Sequence, residues 1–181
     1  MEHPSVIVPE KAVSGRDIFR GKIINVREDT VELPNGASAI REVVEHSGGV
    51  GVLALDDADN VLMVRQFRYA IGRESLEIPA GKREKGEDPR VCGIRELEEE
   101  TGYVASEFTD FGSLDPTPAY CTEVIHLFLA KGLTYRSQRL DEDEFLAVER
   151  VPLAEAVEMC RDGRITDAKT LVAILKYHSM Q

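Results

Sequence analysis

The chain lacks the cysteines for a disulfide framework, any surplus of basic residues, and any apolar run long enough to cross a membrane. Its three cysteines among 181 residues, Cys92, Cys121 and Cys160, lie far apart and are odd in number. That pattern fits a reduced, cytoplasmic chain and neither a disulfide scaffold nor a zinc site. Lys and Arg number 22 against 33 Asp and Glu, a formal net charge of −11. A general binder of duplex nucleic acid or of an anionic membrane needs a basic face, so neither partner is expected. A small phosphate-bearing molecule stays compatible with this balance if a metal supplies the positive charge. No apolar stretch approaches the ~20 residues of a membrane span. Met1 to Glu10 has no basic n-region and only a short apolar run, so no signal peptide is expected. There is no internal repeat and no low-complexity segment, and the four histidines have no ligand-like spacing.

What is present can bury a core: 43% of the residues are hydrophobic, and the length suits one domain with a small appendage. Residues 1 to 47 read as the appendage, rich in strands. Asp17 to Arg27 and Thr30 to Leu33 carry strand-type alternation, Asn35-Gly36 is a hairpin turn, and Ala39 to Glu45 is the return strand. Ser47-Gly48-Gly49 marks a boundary. In residues 48 to 181, strands are expected at Gly51 to Leu55, Val61 to Phe67, Glu74 to Ile78, Phe108 to Leu114, Glu123 to Ala130 and Phe145 to Val151. Pro79 to Glu87 reads as a loop. Helical spacing appears at Pro152 to Cys160 and Thr166 to His178. The order is α+β, with short strands and interleaved helices rather than a regular βαβ series.

One helix stands out. Asp88 can cap free amides, Pro89 suits a first turn, and Gly102 can take the left-handed position after the last. On a helical wheel Val91, Ile94, Leu97 and Thr101 share a side and are expected to pack on a sheet. Glu96, Glu99 and Glu100 fall on the other, with Glu96 and Glu100 at i and i+4. Such a cluster is commonly just a solvated face. Here, however, the carboxylates repel by ~1 kcal/mol per pair at about 4 Å in water, and only Arg95 is near to compensate. A hard divalent cation with oxygen ligands resolves the repulsion, and Mg²⁺ is the usual choice when a phosphate shares the coordination sphere.

From Gly81 through Glu87 to Arg95-Glu96-Leu97-Glu98-Glu99-Glu100-Thr101-Gly102-Tyr103, the segment resembles the Nudix box, Gly-x5-Glu-x7-Arg-Glu-U-x-Glu-Glu-x-Gly-U. Every fixed position matches, and Tyr103 stands where an aliphatic residue is usual. The resemblance implies a Nudix fold, an α/β/α sandwich around a mixed β-sheet, with the small antiparallel sheet added at the N-terminus. It also implies hydrolysis of a nucleoside diphosphate linked to another moiety. Glu96, Glu99 and Glu100 would then hold Mg²⁺ or Mn²⁺, with the Ala80 carbonyl as a further ligand. Glu87 would support the site, Gly81 would let the loop turn close to the metal, and Arg95 would orient a box carboxylate. Arg95 and Glu99 therefore count among the catalytic residues.

The flanks Val64-Arg-Gln-Phe-Arg68, Glu77-Ile-Pro-Ala-Gly81 and Thr117-Pro-Ala-Tyr-Cys-Thr-Glu123 resemble the ADP-ribose pyrophosphatase subgroup, although Thr117-Pro118-Ala119 replaces its frequent Ser-Pro-Gly. That likeness implies substrate contacts from Arg68, which could clamp a phosphate bidentately, from Arg41, from Glu77 at the ribose or base, and from Pro118. In the acidic loop Asp141 to Glu144 it implies a water-activating or metal-binding glutamate. Glu142 is assigned as base and Glu144 as ligand, with the reverse open. Tyr120 and Phe67 are candidates for stacking on a base, and the cysteines are read as packing residues. The implied reaction takes ADP-ribose to AMP and ribose 5-phosphate. Alternatives are GDP-mannose or another nucleotide sugar or dinucleotide, or a nucleotide sensor that does not cleave. The appendage is expected to build a homodimer.

Overall fold

The computed structural model describes residues 8–140 and 145–181. Glu142 and Glu144, read from the sequence as base and ligand, lie outside the described residues. The chain forms two compact units. One runs to Ser47 and adds Thr117–Glu123; the other comprises Gly48–Pro116 and Val124–Gln181. The boundary expected at residues 47 and 48 did not include the return of 117–123 to the N-terminal unit.

The N-terminal unit is an antiparallel sheet of β1 (Lys11–Arg20), β2 (Ile24–Glu32) and β3 (Ser38–His46), in that spatial order. The single strand expected over Asp17 to Arg27 is in fact two strand ends and a turn. Gly21 N donates to Ile24 O at 2.9 Å, and a Cβ on Gly21 would sit 2.6 Å from the Phe19 ring. Alternation continues through such a tight turn, so the pattern alone did not reveal it. The Asn35-Gly36 turn forms as expected, with Gly36 at φ 81°. Residues 117–123 run beside β3: Val44 N donates to Tyr120 O at 2.7 Å and Thr122 N to Val44 O at 2.9 Å.

The second unit has a seven-stranded mixed sheet. Its path is β10 (Leu146–Pro152), β5 (Asn60–Arg68), β4 (Gly49–Leu55), β9 (Ile125–Tyr135) and β8 (Tyr103–Leu114). Two short strands complete it: β6 (Arg73–Glu77) on β5 and β7 (Ala80–Lys82) on β4. β7 corrects the first part of the loop expected over Pro79 to Glu87. It forms because β4 diverges from β5 after two paired residues and offers its edge to the returning chain. β4 is buried on both faces and pairs in parallel with β9. Its alternate residues feed two cores, as a period of two requires. Val50, Val52 and Ala54 join Cys92, Leu97, Phe108 and Phe128 under α1 (Pro89–Thr101). Leu53 and Leu55 join Ile78, Ala156, Ile165 and Ile174 under α2 (Leu153–Arg161) and α3 (Ala168–Ser179). The second unit is thus the α/β/α sandwich that the resemblance implied.

α1 is bounded as its sequence predicts. Asp88 Oδ1 accepts from the Arg90 and Val91 amides at 2.9 and 3.2 Å, and Gly102, at φ 77°, donates to Glu98 O. Its orientation is not the one the wheel gave. Val91 and Ile94 are 58% and 43% exposed, while Cys92, Gly93, Glu96, Leu97, Glu100 and Thr101 are buried. Two things turn the helix. Gly93 admits the Phe108 and Phe128 rings, which a Cβ would meet at 3.0 Å. The carboxylates of Glu96 and Glu100 are also drawn toward β7, so amphipathicity yields to the site.

Candidate active site

The box residues converge where β7 passes the inner face of α1. Ala80 N donates to Glu100 Oε2 at 2.8 Å, and Glu100 is 3% exposed. Glu96, 8% exposed, lies against Gly81 so closely that a Cβ there would stand 2.0 Å from its carboxyl carbon. Only glycine at position 81 lets the carboxylate occupy that place.

Arg95 ties the acidic groups together. Its Nη1 lies 2.8 Å from Glu99 Oε2 and 2.9 Å from Glu96 Oε1, and its Nε reaches Glu87 Oε1 at 3.2 Å. Burial works against the charged guanidinium, but the bonds to Glu87 and Glu99 outweigh it and hold its pKa above the ordinary value. The Arg95 bond likewise draws Glu87 below the usual carboxylate range. Beneath them burial, with Glu87 beside it, pushes the Cys92 thiol up to about 12, so Cys92 is a packing group and not a nucleophile.

Three carboxylates around one arginine, with Glu100 on the Ala80 amide, leave a net negative pocket of oxygen donors, which suits a hard divalent cation. Among the described residues no three His, Cys, Asp or Glu side chains converge closely enough to grip an ion as they stand. Arg95 Nη1 lies between Glu96 and Glu99, of which Glu99 is the more exposed.

A second charged group lies at the ends of β5 and β6. Arg68 grips Glu77 bidentately, Nε and Nη2 to the two oxygens at 2.8 and 2.7 Å. Lys169 Nζ holds the same carboxylate at 2.5 Å and Asp167 Oδ1 at 2.9 Å. Asp167 caps α3 through Thr170 N, and Thr170 Oγ1 accepts from Ile78 N at 2.9 Å, so α3 is pinned to the Glu77-to-Gly81 segment. Glu77 is 2% exposed, and its carboxylate forms a buried ion pair with Arg68 and Lys169. Lys169, Asp167 and Thr170 escaped the sequence reading. Asp167 followed by Thr170 is a capping signal, but nothing local marks Lys169 as the partner of Glu77.

Burial opposes the ionised form of Glu77, yet Arg68 and Lys169 bring its pKa down from 4.5 to about 2. A depressed folded-state pKa contributes stability that is complete above the ordinary carboxylate value and is lost as pH falls toward 2. Unfolding free energies from urea titrations between pH 5 and 2 should therefore fall more steeply in wild type than in Glu77→Gln, by on the order of 3 kcal/mol. Equal slopes would remove Glu77 from the acid response.

Arg41 and Pro118 belong to the N-terminal unit. Arg41 pairs with Glu10, its Nε at 2.9 Å from Oε2. Pro118 lies in the turn where Cys121 N donates to Thr117 O at 3.0 Å. Tyr120 and Phe67, the stacking candidates, are 54% and 60% exposed.

Comparison with known proteins matches residues 45–173 to the NUDIX domain and residues 10–44 to the nucleoside diphosphate sugar hydrolase N-terminal domain. An ADP-ribose pyrophosphatase of Bacillus subtilis (strain 168) is 44% identical over 167 residues, 91% of this chain and 90% of the relative. A methanol dehydrogenase activator of Bacillus methanolicus is 43% identical over the same shares. The crystal structure of an ADP compounds hydrolase superposes with a TM-score of 0.83 over 94% of this chain and 93% of that one, at 23% identity, a likeness of fold.

Proposed function

The chain belongs to the Nudix hydrolase family, and on that premise we propose that it hydrolyses the pyrophosphate bond of ADP-ribose, giving AMP and ribose 5-phosphate. The observation that carries hydrolysis is the carboxylate cluster at Gly81, where Glu96 and Glu100 are buried against a backbone cleared of side chains. The likeness to the Bacillus subtilis enzyme favours ADP-ribose over other nucleoside diphosphate derivatives.

Glu96, Glu99, Glu100 and the Ala80 carbonyl, with Glu144, would hold Mg²⁺ or Mn²⁺. Such an ion neutralises charge developing on phosphoryl oxygens and lowers the pKa of a bound water. The chain's own groups do the rest. Arg95 keeps Glu99 and Glu87 in register. The Glu77 pair uses Nε and Nη2 of Arg68, so its Nη1 edge can meet a phosphate oxygen. Glu142 takes the proton of the attacking water, whose oxygen bonds to one phosphorus as the bridging oxygen leaves with the other phosphate.

With Mg²⁺, product analysis across ADP-ribose, GDP-mannose, UDP-glucose and NADH should give AMP and ribose 5-phosphate with the highest kcat/KM on ADP-ribose. A higher value for GDP-mannose would reassign the substrate. Tighter melting on nucleotide without turnover of any compound would make the chain a sensor. We propose further that it works as a homodimer in the cytoplasm. All ten residues of β1 are exposed, with Val13, Ile18 and Phe19 each more than half exposed, and a long bare edge strand is normally covered. Light scattering should return twice the chain mass; a monomer at working concentration would remove the dimer.

A further inference from the structure

The last turn of α1 carries the chemistry and is poorly made by its own sequence. Glu98, Glu99 and Glu100 crowd the helix C-terminus, where peptide dipoles already leave partial negative charge, and that turn holds no basic residue. An α-helix also leaves its last carbonyls without intrahelical partners. A strap following β9 supplies the donors. Arg136 N donates to Gly102 O at 2.7 Å, Gln138 Nε2 to Glu100 O at 2.7 Å, and Arg139 N to Glu99 O at 3.0 Å. The strap runs directly over Gly102, whose Cβ would stand 2.8 Å from Gln138 N and 3.1 Å from Ser137 C. The second box glycine thus does more than end the helix: it clears the ground on which the strap lies.

The contributions differ in kind. Arg139 also reaches Glu98 Oε1 at 3.0 Å, but its side chain is 69% exposed, and such surface ion pairs count for little. Gln138 supplies a side-chain hydrogen bond to the main chain of Glu100, the residue whose carboxylate takes the Ala80 amide. We propose that Gln138 is a positioning residue for the metal-binding carboxylates: by clamping the Glu100 carbonyl it keeps the last turn of α1 wound, and so keeps the Glu100 carboxylate on the Ala80 amide and Glu99 on Arg95. This rests on the divalent-cation reading above. Gln138 lies at the surface, so replacing it opens no core. A frayed last turn moves two carboxylates together, and displacements near 1 Å are costly at a reacting centre.

The test uses the full chain and four proteins: wild type, Gln138→Ala, Gln138→Glu, which keeps the size but not the donor, and Gln138→Lys, which restores a donor. Mn²⁺ uptake is measured by calorimetry, kcat and KM with ADP-ribose, and amide hydrogen exchange over the last turn of α1. The Ala and Glu variants should bind Mn²⁺ about tenfold more weakly and lose about tenfold in kcat. Their KM should stay within about twofold of wild type, and last-turn exchange should quicken. Lys should recover most of both losses. Wild-type Mn²⁺ affinity in the Ala and Glu variants, or a Lys variant no better than Ala, would overturn the role of Gln138 alone. Absence of Mn²⁺ uptake by the wild-type chain would overturn the cation reading and this inference with it.

Discussion

Replacing Glu100 by glutamine should lower kcat on ADP-ribose by roughly two to three orders of magnitude while leaving the fold intact. The reasoning separates two jobs of one side chain. Its structural job is to accept the Ala80 amide at 2.8 Å, and a glutamine carbonyl can still do that, so melting should shift by only a few degrees. Its chemical job needs the negative charge. A ligand that stabilises charge at a phosphoryl centre contributes several kcal/mol, and each ~1.4 kcal/mol is tenfold in rate. Glu99→Gln should behave alike, with one difference. Glu99 also pairs with Arg95 at 2.8 Å, so its loss frees a guanidinium beside the remaining carboxylates. Near-normal turnover in both variants would rule out the box as the catalytic centre.

Gly81→Ala should be almost as damaging to activity and nearly silent in stability. The added methyl would collide with the Glu96 carboxyl group at 2.0 to 2.4 Å. The obstacle is the far end of a flexible side chain rather than backbone, so the fold can accommodate it by turning Glu96 aside. Position 81 is an ordinary extended site with no need for positive φ, since it is absent from the left-handed glycines. The cost therefore falls on the carboxylate. Loss of Mn²⁺ affinity and of kcat by about a hundredfold is expected, with melting close to wild type. A variant that unfolds, or one that keeps full activity, would contradict this account of the glycine.

Box, caps and element order were legible because they are local. Asp88, Pro89 and Gly102 bound α1 through bonds to neighbours a few residues away, and the spacing of Glu96, Glu99 and Glu100 is fixed by the helix itself. The wheel failed at Val91 and Ile94 because the helix is oriented by partners far along the chain, the Phe108 and Phe128 rings at Gly93 and the backbone at Gly81. For the same reason Lys169 and Gln138 gave no signal. Each acts on residues remote in sequence, Lys169 on Glu77 and Gln138 on Glu100. The turn at Gly21 was hidden for the opposite reason, being so tight that it left the alternation unbroken. Glu77 and Arg68 read from the sequence as separate charged groups, and the structure pairs them with each other.

The pairing of β4 with β9 bears on how the chain reaches its native state. Gly49 lies opposite Ile125 in parallel register, so the centre of the sheet joins segments far apart in the chain. The β1–β2–β3 meander needs only short connections. Distant parallel registration is slow because its loop entropy is spent before any contact rewards it. Refolding from denaturant should accordingly show the meander protected early and the amides of β4 protected last, at the rate at which the nucleotide-cleaving activity returns.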